Sequence, residues 1–153
     1  MPVTSNINQV IVDLKRVAAD FDKKSVQIVG ISSLEMFRQL ISLSPVDTGY
    51  YRATHDLTIN NKSSFKQPAD EALFNQGSRG GGAEEAQFQE AESRLGSITG
   101  RDISKGLSVF FTNNAPYSQP LEDGHSLQAA QGIYTIVSKK APAIIKAAVK
   151  AVT

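Results

Sequence analysis

From Ser5 to Leu43 apolar residues recur at Ile7, Val10, Ile11, Leu14, Val17, Ala18, Phe21, Ile28, Ile31, Leu34, Phe37 and Ile41. Steps of three and four lay these side chains along one face of a helix. Ser5 can cap its start. Pro45, which has no backbone N–H and biases Ser44 toward extended geometry, enforces its stop. The pattern reads as one long helix or two; the stripe turns polar from Asp20 to Ser25, the weak place where a break could fall, although nothing there is Pro or Gly. About 40 residues of helix would reach roughly 55 Å, longer than a domain of this size is wide, so part of the stripe is expected to face another subunit.

After the corner Ser44-Pro45-Val46-Asp47-Thr48-Gly49-Tyr50-Tyr51-Arg52 the period changes to two. Asp47 and Gly49 supply turn bonding and φ freedom. Residues 53–60 place Ala53, His55, Leu57 and Ile59 on one side of a strand and Thr54, Asp56 and Thr58 on the other, with Asn60-Asn61 as a turn. His55 shares the apolar side and is expected to be a hydrogen-bonded core or interface residue, since no second ligand lies at metal spacing. Residues 107–114, β-branched and aromatic, form a second strand closed by Asn113-Asn114-Ala115-Pro116 and expected to pair antiparallel with the first. Between the strands, residues 62–105 shift to Gly, Ser, Gln and Glu and read as an extended hairpin arm centred on Gly77, Arg79, Gly80, Gly81 and Gly82. Its helical part, Ala83 to Leu95, carries Glu84 and Glu85 and reads either as a solvated helix in a mobile arm or as a segment that orders only against a neighbour. A helical turn with Pro120 near its start ends at Gly124. From Ala129 onward helical spacing returns, with Pro142 as a kink or a new first turn, giving a C-terminal helix packed on the sheet. The fold class is α+β.

Composition adds bounds. The 153 residues fit one domain, and the net charge of +1 supplies no global field for nucleic acid or an anionic membrane. The chain has no cysteine, which excludes disulfides and thiolate metal sites, and no basic-then-apolar leader. Lys146 and Lys150 interrupt the apolar C-terminus, so no segment reaches the roughly 20 residues of a membrane span; the expectation is a soluble protein that is not secreted. Lys139, Lys140, Lys146 and Lys150 make a basic tail with no acidic residue after Asp123. It can contact DNA phosphates weakly or meet the acidic arm of another copy, and a solvated helix face is the plainer reading.

Two motifs tempt a catalytic reading. Asp47-Thr48-Gly49 is the spelling used by aspartic proteases, but that chemistry needs two such aspartates sharing a proton within a β-rich domain, and one copy behind a helix stop would require a homodimer. The Gly77–Gly82 run lacks the Gly-Lys-Ser/Thr ending of a phosphate-binding loop. No enzyme activity and no cofactor or metal is expected. Asp47 reads as a corner cap, and Arg52 is expected to pair with Glu122.

Taken together, residues 44–60 and 111–137 resemble the small neck or tail-completion proteins of tailed bacteriophages, the head–tail joining family related to the minor tail protein Z type. The resemblance lies in Pro45, Val46, Asp47, Thr48, Gly49 and Arg52, then Asn114, Pro116, Tyr117, Leu121, Glu122, Gly124, Ser126, Gln128, Ala129 and Gly132, with Ala130 where that pattern favours Pro. It leaves 62–105 unmatched. It implies a structural virion protein, made in the host cytoplasm, that forms a ring, six-fold in expectation, between the portal-side connector and the tail tube. The corner and the 115–128 turn would then be assembly joints.

Overall fold

A computed structural model describes residues 4–45, 50–63, 81–127 and 129–153. The long apolar stripe is the expected long helix, α1 (Thr4–Leu43), and of the two readings left open at Asp20–Ser25 the unbroken one holds. Nothing there is Pro or Gly, and Lys24 bridges Asp20 at 3.1 Å along the helix. A short helix α2 (Tyr50–Ala53) leads into β1 (His55–Ile59). Then come α3 (Gly81–Gly96), α4 (Gly100–Ser104), β2 (Val109–Asn113), α5 (Ser118–Glu122) and α6 (Ile133–Val152).

The two strands pair antiparallel, His55 opposite Asn113 and Ile59 opposite Val109, as alternation predicts. Asn60 closes β1 in the left-handed region, φ 65°. Its N–H donates to Ser108 O at 2.7 Å, and its side-chain oxygen accepts Ser108 N–H at 3.1 Å. An asparagine tolerates this conformation because its short amide bonds back to the chain.

The second half of the anticipated arm is corrected by the structure. Residues 81–104 are two helices packed into the body, with Ala91, Leu95 and Ile98 buried beside Phe37, Ile41 and Leu57. Phe88 meets Phe37 edge-on, centroids 5.8 Å apart. Arg94 reaches from α3 to β1, donating to Asp56 Oδ1 and Leu57 O, both at 2.5 Å, while Gln87 donates to Ala53 O. Gly100, opening α4, lies against Asp22 of α1. Glycines and glutamates dominate the composition here, but the few apolar residues fall on one face, and that face decided the packing.

Helix α6 runs antiparallel to α1, its start beside Leu40 and its Ala147 and Ala148 beside Ile31 and Leu34. It continues through Pro142 without ending. Its contact with the sheet is made at its first turn, by Tyr134 against His55. A second cluster of Leu40, Tyr50, Tyr51, Ala115, Ala129, Ile133 and Val137 fills the space between α1, α2 and α6.

Candidate functional site

The described residues of the two motif segments gather at one place, where the end of α1, α2, the end of β2, α5 and the start of α6 meet. At its centre is a chain of side chains through His55, which is 3% exposed. Tyr134 Oη lies 3.0 Å from Nδ1, Ser44 Oγ lies 2.6 Å from Nε2, and Ser44 Oγ in turn lies 2.6 Å from Leu40 O. One order of hydrogens uses every donor. The Tyr134 hydroxyl donates to Nδ1, Nε2–H donates to Ser44, and Ser44 donates to the Leu40 carbonyl left open at the helix end. The imidazole is therefore neutral. Burial, and secondarily the Arg52 guanidinium, push its pKa from 6.5 down to about 3.

A serine within hydrogen-bond reach of a histidine invites a nucleophilic reading, and the geometry answers it. In that order of hydrogens the Ser44 proton points away from the ring and Nε2 already carries hydrogen, and Ser44 is itself only 3% exposed. This buried pair closes a helix C-terminus. Burial likewise pushes the Tyr134 and Tyr51 hydroxyls well above their ordinary pKa, with Tyr51 and Glu122 adding to the rise for Tyr134 and Glu122 for Tyr51.

Glu122 is a second organising residue. Its Oε2 accepts the N–H groups of Ile133 and Tyr134 at 2.9 and 3.0 Å, and its Oε1 accepts the N–H and hydroxyl of Thr135, both at 2.7 Å. One carboxylate thus takes up three of the four open donors at the start of α6, where the helix dipole favours negative charge. The approach demands glycine at Gly132, whose φ is 72° and where a Cβ would stand 2.5 Å from Glu122 Oε1. Gly124 has φ 80°, and a Cβ there would stand 2.7 Å from Ala130 O. The Leu-Glu-x-Gly turn and the later Gly are parts of one helix cap.

Among the described residues Glu122 meets the start of α6, and Arg52 is placed against the helix end instead. Its Nη2 donates to Ser44 O at 3.2 Å, across the corner. Asn113 ties the other side. Its amide donates to Tyr51 O at 2.8 Å and its oxygen accepts Ala115 N–H at 2.9 Å, with the Thr54 hydroxyl also at 2.9 Å. Tyr117 stands against the rings of Tyr50 and Tyr51, centroids 6.2 and 6.1 Å away. Leu121 packs on the same cluster, while Pro45 is half-buried, Pro116 exposed and Ser126 half-buried. Val46, Asp47, Thr48, Gly49, Gly77, Arg79, Gly80 and Gln128 lie outside the described residues. Gly81, Gly82 and Glu84 fall in the first turn of α3, and Glu85 is exposed, accepting from Gln89.

Sequence reasoning missed Asn113, Tyr134 and Thr135 as members of this joint. Asn113 carried a signal, an asparagine at a strand end before Ala-Pro. Tyr134 and Thr135 carried none, since their partners lie 79 and 13 residues away.

Beyond the joint the surface is uneven. From Asn8 to Lys23 every residue of α1 except Asp13 is exposed, including Val10, Leu14, Val17 and Phe21 at 49, 63, 63 and 68%. Between α1 and α6 runs an apolar groove of about 710 Å³, walled by Ile31, Leu34, Ala143, Ile144 and Ala147, with Glu35, Arg38 and Lys140 at its rim. A smaller cavity of about 240 Å³ beside the joint is bordered by Tyr51 and Thr112, whose hydroxyls meet no partner among the described residues. Among the described residues no group of three acidic or histidine side chains is placed to hold a metal, and no helix is long and apolar enough to cross a membrane.

Comparison with family models, with curated proteins and with solved structures gives no match for this chain.

Proposed function

We propose that this chain is a structural component of a tailed-phage virion, assembling as a ring at the head–tail interface and joining the tail to the capsid connector. The observation that carries the assembly part is α1. A helix of about 60 Å overruns a domain whose expected radius of gyration is near 15 Å. Its free end carries four large apolar side chains half or more exposed. Patches of that kind on a water-facing surface mark contact with another protein. The virion setting comes from the resemblance of the two motif segments, and the joint gives those motif residues a purely architectural use. Glu122, Gly124 and Gly132 hold the start of a helix, and Arg52 braces the end of another.

Electron microscopy of the purified protein, alone and mixed with tail tubes, tests the reading. Closed rings that seat on tube ends are the expected result. Particles of monomer size that ignore the tubes would overturn it.

The four lysines of α6 support a second reading, since none is ion-paired among the described residues. They would face DNA passing through the ring, and retention of duplex DNA that weakens steeply with salt is its signature.

A further inference from the structure

The sheet has two strands and two outer edges, and only one of the edges is covered. Asn60 N–H donates to Ser108 O, which makes these opposed residues a hydrogen-bonded pair. Along the register Thr58 with Phe110 and Asp56 with Thr112 face each other in the same way. The backbone groups of His55, Leu57 and Ile59 on β1, and of Val109, Phe111 and Asn113 on β2, therefore point outward. On the β1 side α3 covers the edge, for Leu57 O accepts Arg94 and the preceding Ala53 O accepts Gln87. On the β2 side the outward N–H and C=O groups of Val109, Phe111 and Asn113 meet no partner among the described residues. We propose that this edge pairs antiparallel with the same edge of a second copy, joining two sheets into one in the order β1–β2–β2–β1.

Backbone, side chains and charge each select a second copy as the occupant. A two-fold axis at Phe111 sets that residue opposite Phe111 of the second copy, and Val109 and Asn113 of each copy opposite Asn113 and Val109 of the other. Each of these pairs exchanges two hydrogen bonds, about six in all. The strand reads Val-Phe-Phe-Thr-Asn, with no charge, proline or glycine, and so lacks the devices that keep natural edges apart. Phe111, on the core face, stacks on Phe37, but Phe110, on the opposite face, is half-buried and belongs to neither apolar cluster. In this register Phe110 lies opposite Thr112 of the second copy and diagonal to its Phe110, within reach of an aromatic ring. Charge fixes the direction. The chain entering β2 carries exposed Arg101 and Lys105, with Asp102 turned onto Thr99, and the chain leaving it carries Glu122 and Asp123. Antiparallel pairing brings the basic end of each copy toward the acidic end of the other, whereas parallel pairing sets like beside like. Because the two surfaces are the same, the contact closes at two copies and leaves the free end of α1 to further contacts.

The pair goes beyond the ring and does not depend on the virion setting. The absence of cysteine makes the test direct. Phe110→Cys and Thr112→Cys proteins, made separately from the full chain, are mixed under mild oxidation. These positions form a non-hydrogen-bonded pair across the proposed contact, Cα atoms about 4.5 Å apart and within disulfide reach. Like positions lie on the diagonal, about 7–8 Å apart and beyond it. The expected product is a mixed disulfide dimer, with either protein alone remaining uncross-linked. Phe110→Lys puts a charge on the edge while leaving the core face intact. Checked for unaltered circular dichroism, it is expected to weaken the dimer about tenfold or more by sedimentation equilibrium. Lys105→Glu should weaken it as well, and adding Asp123→Lys to the same chain should restore it. Self-linked products without the mixed one would overturn the pairing. An assembly that Phe110→Lys leaves unchanged would overturn the pair while leaving the ring to microscopy. A wild-type chain that stays monomeric at the highest concentration reached would overturn both.

Discussion

His55 is the residue on which the joint turns, and its two neighbours make different predictions. Removing the Tyr134 hydroxyl by Tyr134→Phe leaves the buried Nδ1 without its donor, a loss of about 1–3 kcal/mol in urea unfolding. Tyr51→Phe, on a ring more deeply buried than that of Tyr134 and with a hydroxyl that has no partner among the described residues, should change stability by no more than about 0.5 kcal/mol. The contrast separates the network from mere aromatic packing. Acidity offers another probe. His55 has its pKa lowered from 6.5 to about 3 in the folded chain, so between those values the unfolded chain binds the extra proton. The stability this group contributes is complete above pH 6.5 and falls as pH drops, at up to about 1.4 kcal/mol per unit. Unfolding midpoints at pH 7.5 and 5 should therefore differ in the wild type, and the difference should shrink in a folded His55→Gln variant.

At the scale of elements, the helices and strands were legible where local periodicity was strong. The α1 stripe, the alternation of β1 and the β-branched run of β2 fixed type and pairing because burial of one face dictates each pattern. The continuity of α1 was less legible. A polar turn looks like a break in sequence, yet i,i+4 pairing carries the helix across. Helix α3 was legible as a helix but not as part of the core, for Phe88, Ala91, Leu95 and Ile98 are sparse among glycines and glutamates yet pack into one cluster. Leu95→Ala should cost about 2–5 kcal/mol, the penalty of a core cavity, whereas the same change in a solvated arm would cost almost nothing. Helix α6 makes a matching case. Gly132→Ala should destabilise by more than the roughly 1 kcal/mol of a lost cap, because a methyl there collides with both the Glu122 carboxylate and its carbonyl. Differential scanning calorimetry measures both. The joint was half legible for a related reason: glycines and Glu122 announce themselves in a turn, but Asn113, Tyr134 and Thr135 are recruited by tertiary approach alone.

For the whole molecule, the division of α1 into a packed half and a free half has a kinetic corollary. An amphipathic helix of some 16 residues without tertiary cover is marginal in water, held by its continuity with the packed turns and by a few weak surface pairs. Backbone amides from Asn8 to Asp20 should exchange with deuterium within seconds to minutes in an isolated subunit, while those from Val29 to Ile41 stay protected. In the proposed ring both should be slow. The free end of α1 would then behave as a latch whose stiffness is supplied by its neighbour, leaving newly made subunits pliant and completed particles rigid.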